Sequence, residues 1–452
     1  MSLDNPPLKD LNSIIPKLMV PTTTTPPPKL VRSSRARFVA AGFCITLAMI
    51  TYFDRACIGV LSSLISVDLG LTMKQMGVVF SVFTIAYGVF GIPSAWWGEK
   101  VGSRIALTGI VGWWSLFTAF TGGTFGFASL LAVRFCFGAG EAGAWPNAMR
   151  VISRWIPSIE HGRVQGLFFA GAHFAAGITP ILVLLLLEPL LGWRGVFIFF
   201  GLFGGAWVIA WIKWFRDRPE DHPRVNAAEL AIITKDRIDL DEHHRGAGRV
   251  WATVLSNPNL WLLSLCVFCN SYGFYFVITW LPTFLHSLPL SQTALAFYSG
   301  LPMFLSIPAD ILGGISTDWL SKRFGLRLGR AIVGGLSFAM ATAAMLLAVY
   351  SESAHFTAIF LGLSIGASMF GIPPTFAVCI EIGGAHAGLS TAVMNTMGQV
   401  GATLCPLVMA YLVGHSGHSS DWTLPLQTII FLYSIAGLSW VFINPNKKVQ
   451  VA

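Results

Sequence analysis

The chain has 452 residues, of which 54% are apolar and only 11% charged, whereas an ordinary soluble domain carries about 25% charged residues. Its mean hydropathy is +0.67, and apolar runs recur from residue 36 to residue 445. These figures exclude a soluble enzyme with a single anchor and a disordered or fibrous chain, and the net charge of +8 says nothing about nucleic acid until its placement is known.

Residues 1–34 are polar and include the run Thr22 to Pro28, a composition that cannot bury a core and predicts a flexible tail. No apolar segment near residue 1 predicts a cleaved signal. Six apolar runs follow, at about 36–62, 74–98, 104–124, 126–150, 164–188 and 194–215. After a stretch rich in Lys, Arg, Asp and Glu come six more, at about 253–284, 292–316, 329–350, 354–380, 388–414 and 423–444. Each suffices to cross roughly 30 Å of hydrocarbon. Backbone groups there must be satisfied internally, and the alternation of a membrane barrel is missing, so the runs are predicted helices. The expected fold is an all-α integral membrane protein of twelve transmembrane helices. Its parts would be a tail (1–34), a six-helix half (35–216), a central loop (217–252), a second six-helix half (253–445) and a short tail (446–452).

Lys and Arg set the orientation. One side of the predicted topology holds 25 of the 29 basic residues; the other holds Lys74 and Arg194, and Arg55 and Arg134 lie inside spans. The positive-inside rule puts both termini and the central loop in the cytoplasm. The charge is then mostly topology and attraction to anionic lipid, with no nucleic-acid partner. The seven cysteines all fall in apolar stretches and read as small buried side chains. Cys266 and Cys269 form a C-x-x-C with no second pair or nearby His to complete a metal site.

The first apolar run carries Asp54 and Arg55, the fourth Arg134 and Glu141. Charges at membrane depth are costly and read as functional by default. Residues 134, 138 and 141 share one helical stripe, so Arg134 and Glu141 face the same way with Gly138 between them. Two bases and two acids sum to zero. An arriving carboxylate would bind Arg55 or Arg134 bidentately, and protonation of Asp54 or Glu141 would free a base for it; the alternative is a permanent charge cluster locking the two helices. No cofactor and no metal are implied. Gly138 to Gly143 fit G-x-G-x-x-G, but inside a long apolar helical run the glycines permit close packing instead of binding a dinucleotide.

Other polar residues face either ligand or a neighbouring helix: Tyr52, Tyr87, His173, Asn270, Tyr272, Tyr275, Asn395 and Gln399. Asp310 reads as a third proton site or the partner of a group on a neighbouring helix, and Glu381 as solvated at a helix end. The turn after the second run has Glu99, Lys100 and Arg104, and the turn after the eighth has Asp318, Lys322 and Arg323. An acid followed by bases in corresponding turns suggests a duplication; the turns read as charge-paired caps or as gating latches between the halves.

These turns resemble the signature loops of the major facilitator superfamily. The stretch Gly138-Ala139-Gly140-Glu141-Ala142-Gly143-Ala144-Trp145-Pro146-Asn147, running on to Arg154-Trp155-Ile156-Pro157, resembles the fourth helix of its anion:cation symporter family. So do Tyr52-Phe53-Asp54-Arg55, the segment from Tyr275 to Thr283, and Arg216 to Pro223. That family includes hexuronate, glucarate and galactonate transporters and animal vesicular glutamate, sialic acid and phosphate carriers. The resemblance implies proton-carrying acids at Asp54 and Glu141, a substrate-binding Arg134 and a functional monomer. Glu99 and Lys100 stand where the family usually has Asp and Arg. His173, Asp310 and Cys379 stand where relatives often have Gln, a small residue and Ser.

The implied function is proton-coupled symport of a small organic anion, a sugar acid first, across a plasma membrane, with a bacterial inner membrane as the expected setting. The alternatives are a phosphate or organophosphate antiporter, or a carrier of a dicarboxylate or aromatic acid. An antiporter of that kind places a base in both halves, whereas both intramembrane Arg fall in the first. No catalytic constellation marks an enzyme.

Overall fold

A computed structural model describes residues 33–234, 254–383, 387–415 and 421–446. Most of the expected N-terminal tail, residues 235–252 of the expected central loop, and Lys447 and Lys448 lie outside the described residues. Every regular element described is helical. Ten helical segments are long and apolar enough to cross a membrane. One of them, Arg163–Trp214, is 52 residues long, about twice the length needed at 1.5 Å per residue. It turns back at Gly192, whose φ of 65° and ψ of 166° leave the helix. Ser103–Thr121 is a further crossing helix of 19 residues. The number of spans is therefore twelve, as the sequence predicts.

Four spans are interrupted, and they occupy corresponding places in the two halves. Span 1 is Ala36–Val60 and Ser62–Leu69, and span 7 is Pro258–Thr279 and Leu281–His286. Span 4 is Phe127–Glu141 and Ala144–Trp155, and span 10 is Ala354–Met369 and Ile372–Gly383. Pro146, Pro282 and Pro373 fall in the first turns after the breaks in spans 4, 7 and 10. Proline lacks an N–H and so fits an opening turn but not a helix interior. Paired interruptions of this kind point to a ligand site between two repeats. The remaining spans are Met73–Val101 (span 2), Ser103–Thr121 (span 3), Ser158–Leu182 with its π-helical extension Val183–Leu187 (span 5), Glu188–Trp214 (span 6), Gln292–Phe324 (span 8), Leu326–Val349 (span 9), Ala387–His415 (span 11) and Thr423–Phe442 (span 12).

Burial separates central from peripheral helices. The apolar window of span 7 is 72% buried, that of span 12 only 39%, and its Phe431 and Leu438 are exposed. Apolar side chains facing outward need no aqueous excuse in a chain solvated by lipid.

The duplication is legible in the backbone. The turn between spans 2 and 3 passes through Gly102 at φ 82°, ψ 157°, and the turn between spans 8 and 9 through Gly325 at φ 82°, ψ 163°. A left-handed φ favours glycine, which has no Cβ. The charges of both turns pair within their own half. Glu99 accepts from Arg150 at 3.1 Å. Asp217 accepts from the Arg104 backbone N–H at 3.0 Å and sits against Gly102. Lys100 lies 3.8 Å over Trp96, and Arg323 stacks on Trp319 and Phe324. Asp318 and Lys322 are exposed. Glu381, expected to be solvated, is instead ion-paired to Arg330: the helix end on span 10 packs against the start of span 9, where that base emerges.

The stretch after span 6 docks on the first half. Trp155 Nε1 donates to the Arg216 carbonyl at 3.0 Å. The short helix Ala227–Thr234 buries Glu229, which accepts from Ser34, from the backbone N–H of Ala36 at 2.9 Å and from that of Arg37 at 3.1 Å. A carboxylate on the free N–H groups of a helix start complements its dipole. Burial alone would raise the Glu229 carboxyl pKa, but the bonds from Ser34, Ala36 and Arg37 outweigh it and hold the group below the usual range. All seven cysteines are free thiols, six of them buried.

Candidate functional site

A cavity lies between the halves at the breaks, lined by Tyr52, Arg55 and Ile58 of span 1, Phe80 and Phe83 of span 2, Arg134 of span 4, and Phe274, Tyr275, Ile278 and Thr279 of span 7. Its volume is about 20 Å³, room for roughly one water. The halves have closed around it.

Arg55 dominates its polar side. Its Nε donates to Glu141 Oε1 at 2.5 Å, and the Glu141 side chain is fully buried. Three rings surround the guanidinium: Tyr87 at 4.7 Å, Phe83 at 5.3 Å and Tyr52 at 5.6 Å. Ring faces attract a cation without neutralising it. Arg134, 2% exposed, stacks on Phe137 at 4.2 Å and lies 5.3 Å from Phe83, so both guanidiniums lie against the Phe83 ring. Arg55 Nη2, Arg134 Nε and Glu141 Oε2 are buried without a protein partner. Unmatched buried donors on two Arg make a set that fits an anion's oxygens.

Asp54 points away from the cavity. It is 1% exposed, and neither carboxylate oxygen closes a hydrogen bond of normal geometry. Trp114 and Thr118 of span 3 and Arg134 face it. Asp54 thus faces Arg134 while Glu141 is bonded to Arg55, and Arg134 lies within the field of both acids.

The other predicted site residues divide. Tyr52 and Tyr275 line the cavity, and Tyr87 stands over Arg55. His173 Nδ1 lies 3.3 Å from Asp310 Oδ2 across the boundary between the halves. Asn270 and Gln399 are placed with buried, unpartnered carbonyl oxygens, and Asn395 is exposed. Tyr272 is not brought to the cavity: its hydroxyl meets Thr428 of span 12 at 3.4 Å, in a separate apolar groove. Phe83, Phe274, Ile278 and Thr279 were not singled out from sequence. The signal was available, since each lies four residues from Tyr87, Ile278, Phe274 or Tyr275 on one helical face.

Near the face opposite the termini the halves are tied. Ser62 and Thr283 hydroxyls meet at 2.8 Å, Ser81 donates to the Thr403 carbonyl at 2.9 Å, and Thr403 donates to Thr84 at 2.9 Å. Gly59 lies directly on the Ile278 carbonyl, where a Cβ has no space.

Comparison with known proteins decides the family: the model of the Major Facilitator Superfamily matches residues 44–406. The chain belongs to that superfamily. This superfamily member is 32% identical over 419 residues to a probable sulfoacetate transporter of Cupriavidus necator, covering 91% of this chain and 94% of the relative. It is 28% identical over 404 residues to a probable galactarate/D-glucarate transporter of Bacillus subtilis, covering 85% and 88%. Among solved structures it resembles a bacterial homolog of the human lysosomal transporter Spinster, with a TM-score of 0.68 at 18% identity over 90% of this chain and 94% of that one. That likeness establishes the fold. The family and these relatives are transporters, not enzymes.

Proposed function

We propose that the protein is a proton-coupled symporter of a small organic anion. The observation that carries this reading is the Arg55–Glu141 pair on the wall of a buried cavity, with Arg134 and Asp54 behind it. In the resting arrangement Glu141 occupies Arg55. Protonation of Glu141 releases the guanidinium, the site becomes net positive, and an anion binds; anion and proton thus favour each other and cross together. Asp54 gives Arg134 the same dependence.

The substrate class is a sugar acid or another compact organic anion. Sulfoacetate and galactarate, named for the relatives, share two anionic heads, which suits two Arg on the wall of one cavity. A phosphate antiporter fits less well, because the cavity wall from spans 7 to 12 carries no base.

The bias of Lys and Arg supports a reading with both termini cytoplasmic, and the bacterial relatives support a bacterial inner membrane. The hydrogen bonds near the opposite face then make this an arrangement sealed toward the outside. Transport proceeds by rocking of the two halves about the cavity in a functional monomer.

The test is uptake into proteoliposomes with an alkaline interior, over a panel of sulfoacetate, an aldarate, an aldonate, a hexuronate and a phosphate ester. Gradient-driven accumulation of one member is expected, abolished in Glu141→Gln while exchange of internal for external substrate survives. Uptake indifferent to the gradient, or exchange of the phosphate ester alone, overturns the reading.

A further inference from the structure

The pair formed by His173 and Asp310 has no part in the chemistry above. His173 lies on span 5 in the first half and Asp310 on span 8 in the second, with Nδ1 and Oδ2 3.3 Å apart. Spans 5 and 8 touch closely on one side of this pair. Gly300 lies on the Gly177 carbonyl, Gly177 packs on the Phe304 ring with little room for a Cβ, and the Phe174 and Phe304 rings are 6.2 Å apart. The pair therefore sits at the margin of the seam toward the termini, where rocking of the halves would first part the two helices. Span 8 contains Pro302 and Pro308, and each removes a helix hydrogen bond, which gives the segment carrying Asp310 freedom to bend.

Exposure distinguishes Asp310 from Glu141 and Asp54. Its side chain is 28% exposed, whereas Glu141 is fully buried and Asp54 is 1% exposed. His173 is 9% exposed and faces inward: its ring is 6.4 Å from Tyr52 of span 1 and 6.3 Å from Phe274 of span 7. Beyond Tyr52 lie Arg55, Glu141 and Tyr87, and Asp310 acts on Tyr52 through its charge together with them; Tyr275 completes the polar groups on the span 7 side. The pair thus stands between the Arg55–Glu141 site and the exposed margin of the seam.

We infer that His173 and Asp310 together hold a second transported proton, as a charged clasp between the halves that opens when the proton leaves. With the proton on His173 and Asp310 ionised, an ion pair closes the seam. When the proton departs, a neutral imidazole faces a lone carboxylate, the attraction falls, and spans 5 and 8 separate. The proton belongs to the pair and not to either residue. The inference rests on the symport reading above.

The experiment measures the ratio of protons to substrate, from the pH gradient that just balances a fixed substrate gradient in proteoliposomes held at zero membrane potential, with the panel substrate that the protein accumulates. The wild type, Asp310→Asn, His173→Gln, the double variant and Asp310→Glu are compared. Loss of about one proton per substrate is expected in either single variant, with no further loss in the double variant, because one shared proton is removed. Asp310→Glu restores the wild-type ratio. Monodispersity in detergent and exchange activity confirm that each variant is folded. An unchanged ratio in folded single variants, or additive losses in the double, overturns the clasp while leaving symport intact. A wild type with no proton-driven uptake overturns both, and that result is read before any variant is made.

Discussion

On the side of the first six spans the cavity presents Tyr52, Arg55, Phe83 and Arg134, with Glu141 and Asp54 behind them. On the side of the last six it presents Phe274, Tyr275, Ile278 and Thr279. The halves share a backbone plan, down to matching glycine turns at Gly102 and Gly325 and breaks in spans 1 and 7 and in spans 4 and 10. They do not share chemistry. In the proposed symporter the shared geometry is what rocks, and ionic binding is concentrated in one half. The second copy supplies shape, a phenol and the surface on which the first closes.

The sharpest way to break this contrast is to remove charge from the first half. Arg134→Gln removes a buried guanidinium from the cavity wall, and each hydrogen bond to a charged group is worth about 1.5–3 kcal/mol, with two in a bidentate pair. Uptake is expected to fall by more than about 100-fold, since each 1.4 kcal/mol is about tenfold. High substrate should restore part of the rate, as loss of a binding contact raises KM; a loss that substrate does not relieve would show that Arg134 is structural. Gly59→Ala attacks the contact between halves instead. Its Cβ meets the Ile278 carbonyl, and overpacking costs about 1–3 kcal/mol. Maleimide labelling of a cysteine placed at Ser62 should rise as the opposite face loosens, with transport slowed.

Tyr275→Phe probes the uncharged wall. Loss of one neutral hydrogen bond, about 1 kcal/mol, should raise KM by less than about tenfold. The pH profile should not move, and a shifted profile would place Tyr275 in the proton chemistry. The smallest effect on transport is expected for Glu229→Gln, which should lower the unfolding temperature in detergent at neutral pH. Because the folded-state pKa of Glu229 lies below its unfolded value, its stabilisation is complete above the unfolded pKa. It is lost as pH falls through the folded one. The difference between variant and wild type should therefore vanish in acid, and a difference that persists there would assign the effect to packing.

The spans and the buried charges were legible because membrane depth penalises an ion so strongly that a lone Asp54 or Arg134 in an apolar run announces itself. Glu141 beside Arg55 was foreseeable as a possibility, since the balance of charge demanded pairing. What could not be read were pairs made across the fold. Glu229 reaches Ala36 over 193 residues of sequence, and its segment is polar enough to pass for solvated loop. Glu381 with Arg330, and His173 with Asp310, likewise depend on which helices become neighbours. The breaks in spans 4, 7 and 10 left a trace in Pro146, Pro282 and Pro373, but a proline alone does not say whether a membrane helix bends, stops or continues.

In the proposed symporter, the bond from Arg55 to Glu141 makes the protein its own competitive inhibitor. A carboxylate tethered within reach of its base acts at an effective concentration set by the fold, far above any concentration a nutrient reaches in solution. An external anion displaces it only when protonation disarms it. Apparent affinity should then be set less by how well the cavity fits the anion than by the fraction of molecules whose internal ligand is neutral. A better-fitting anion and a lower pH become interchangeable means of occupying the same site.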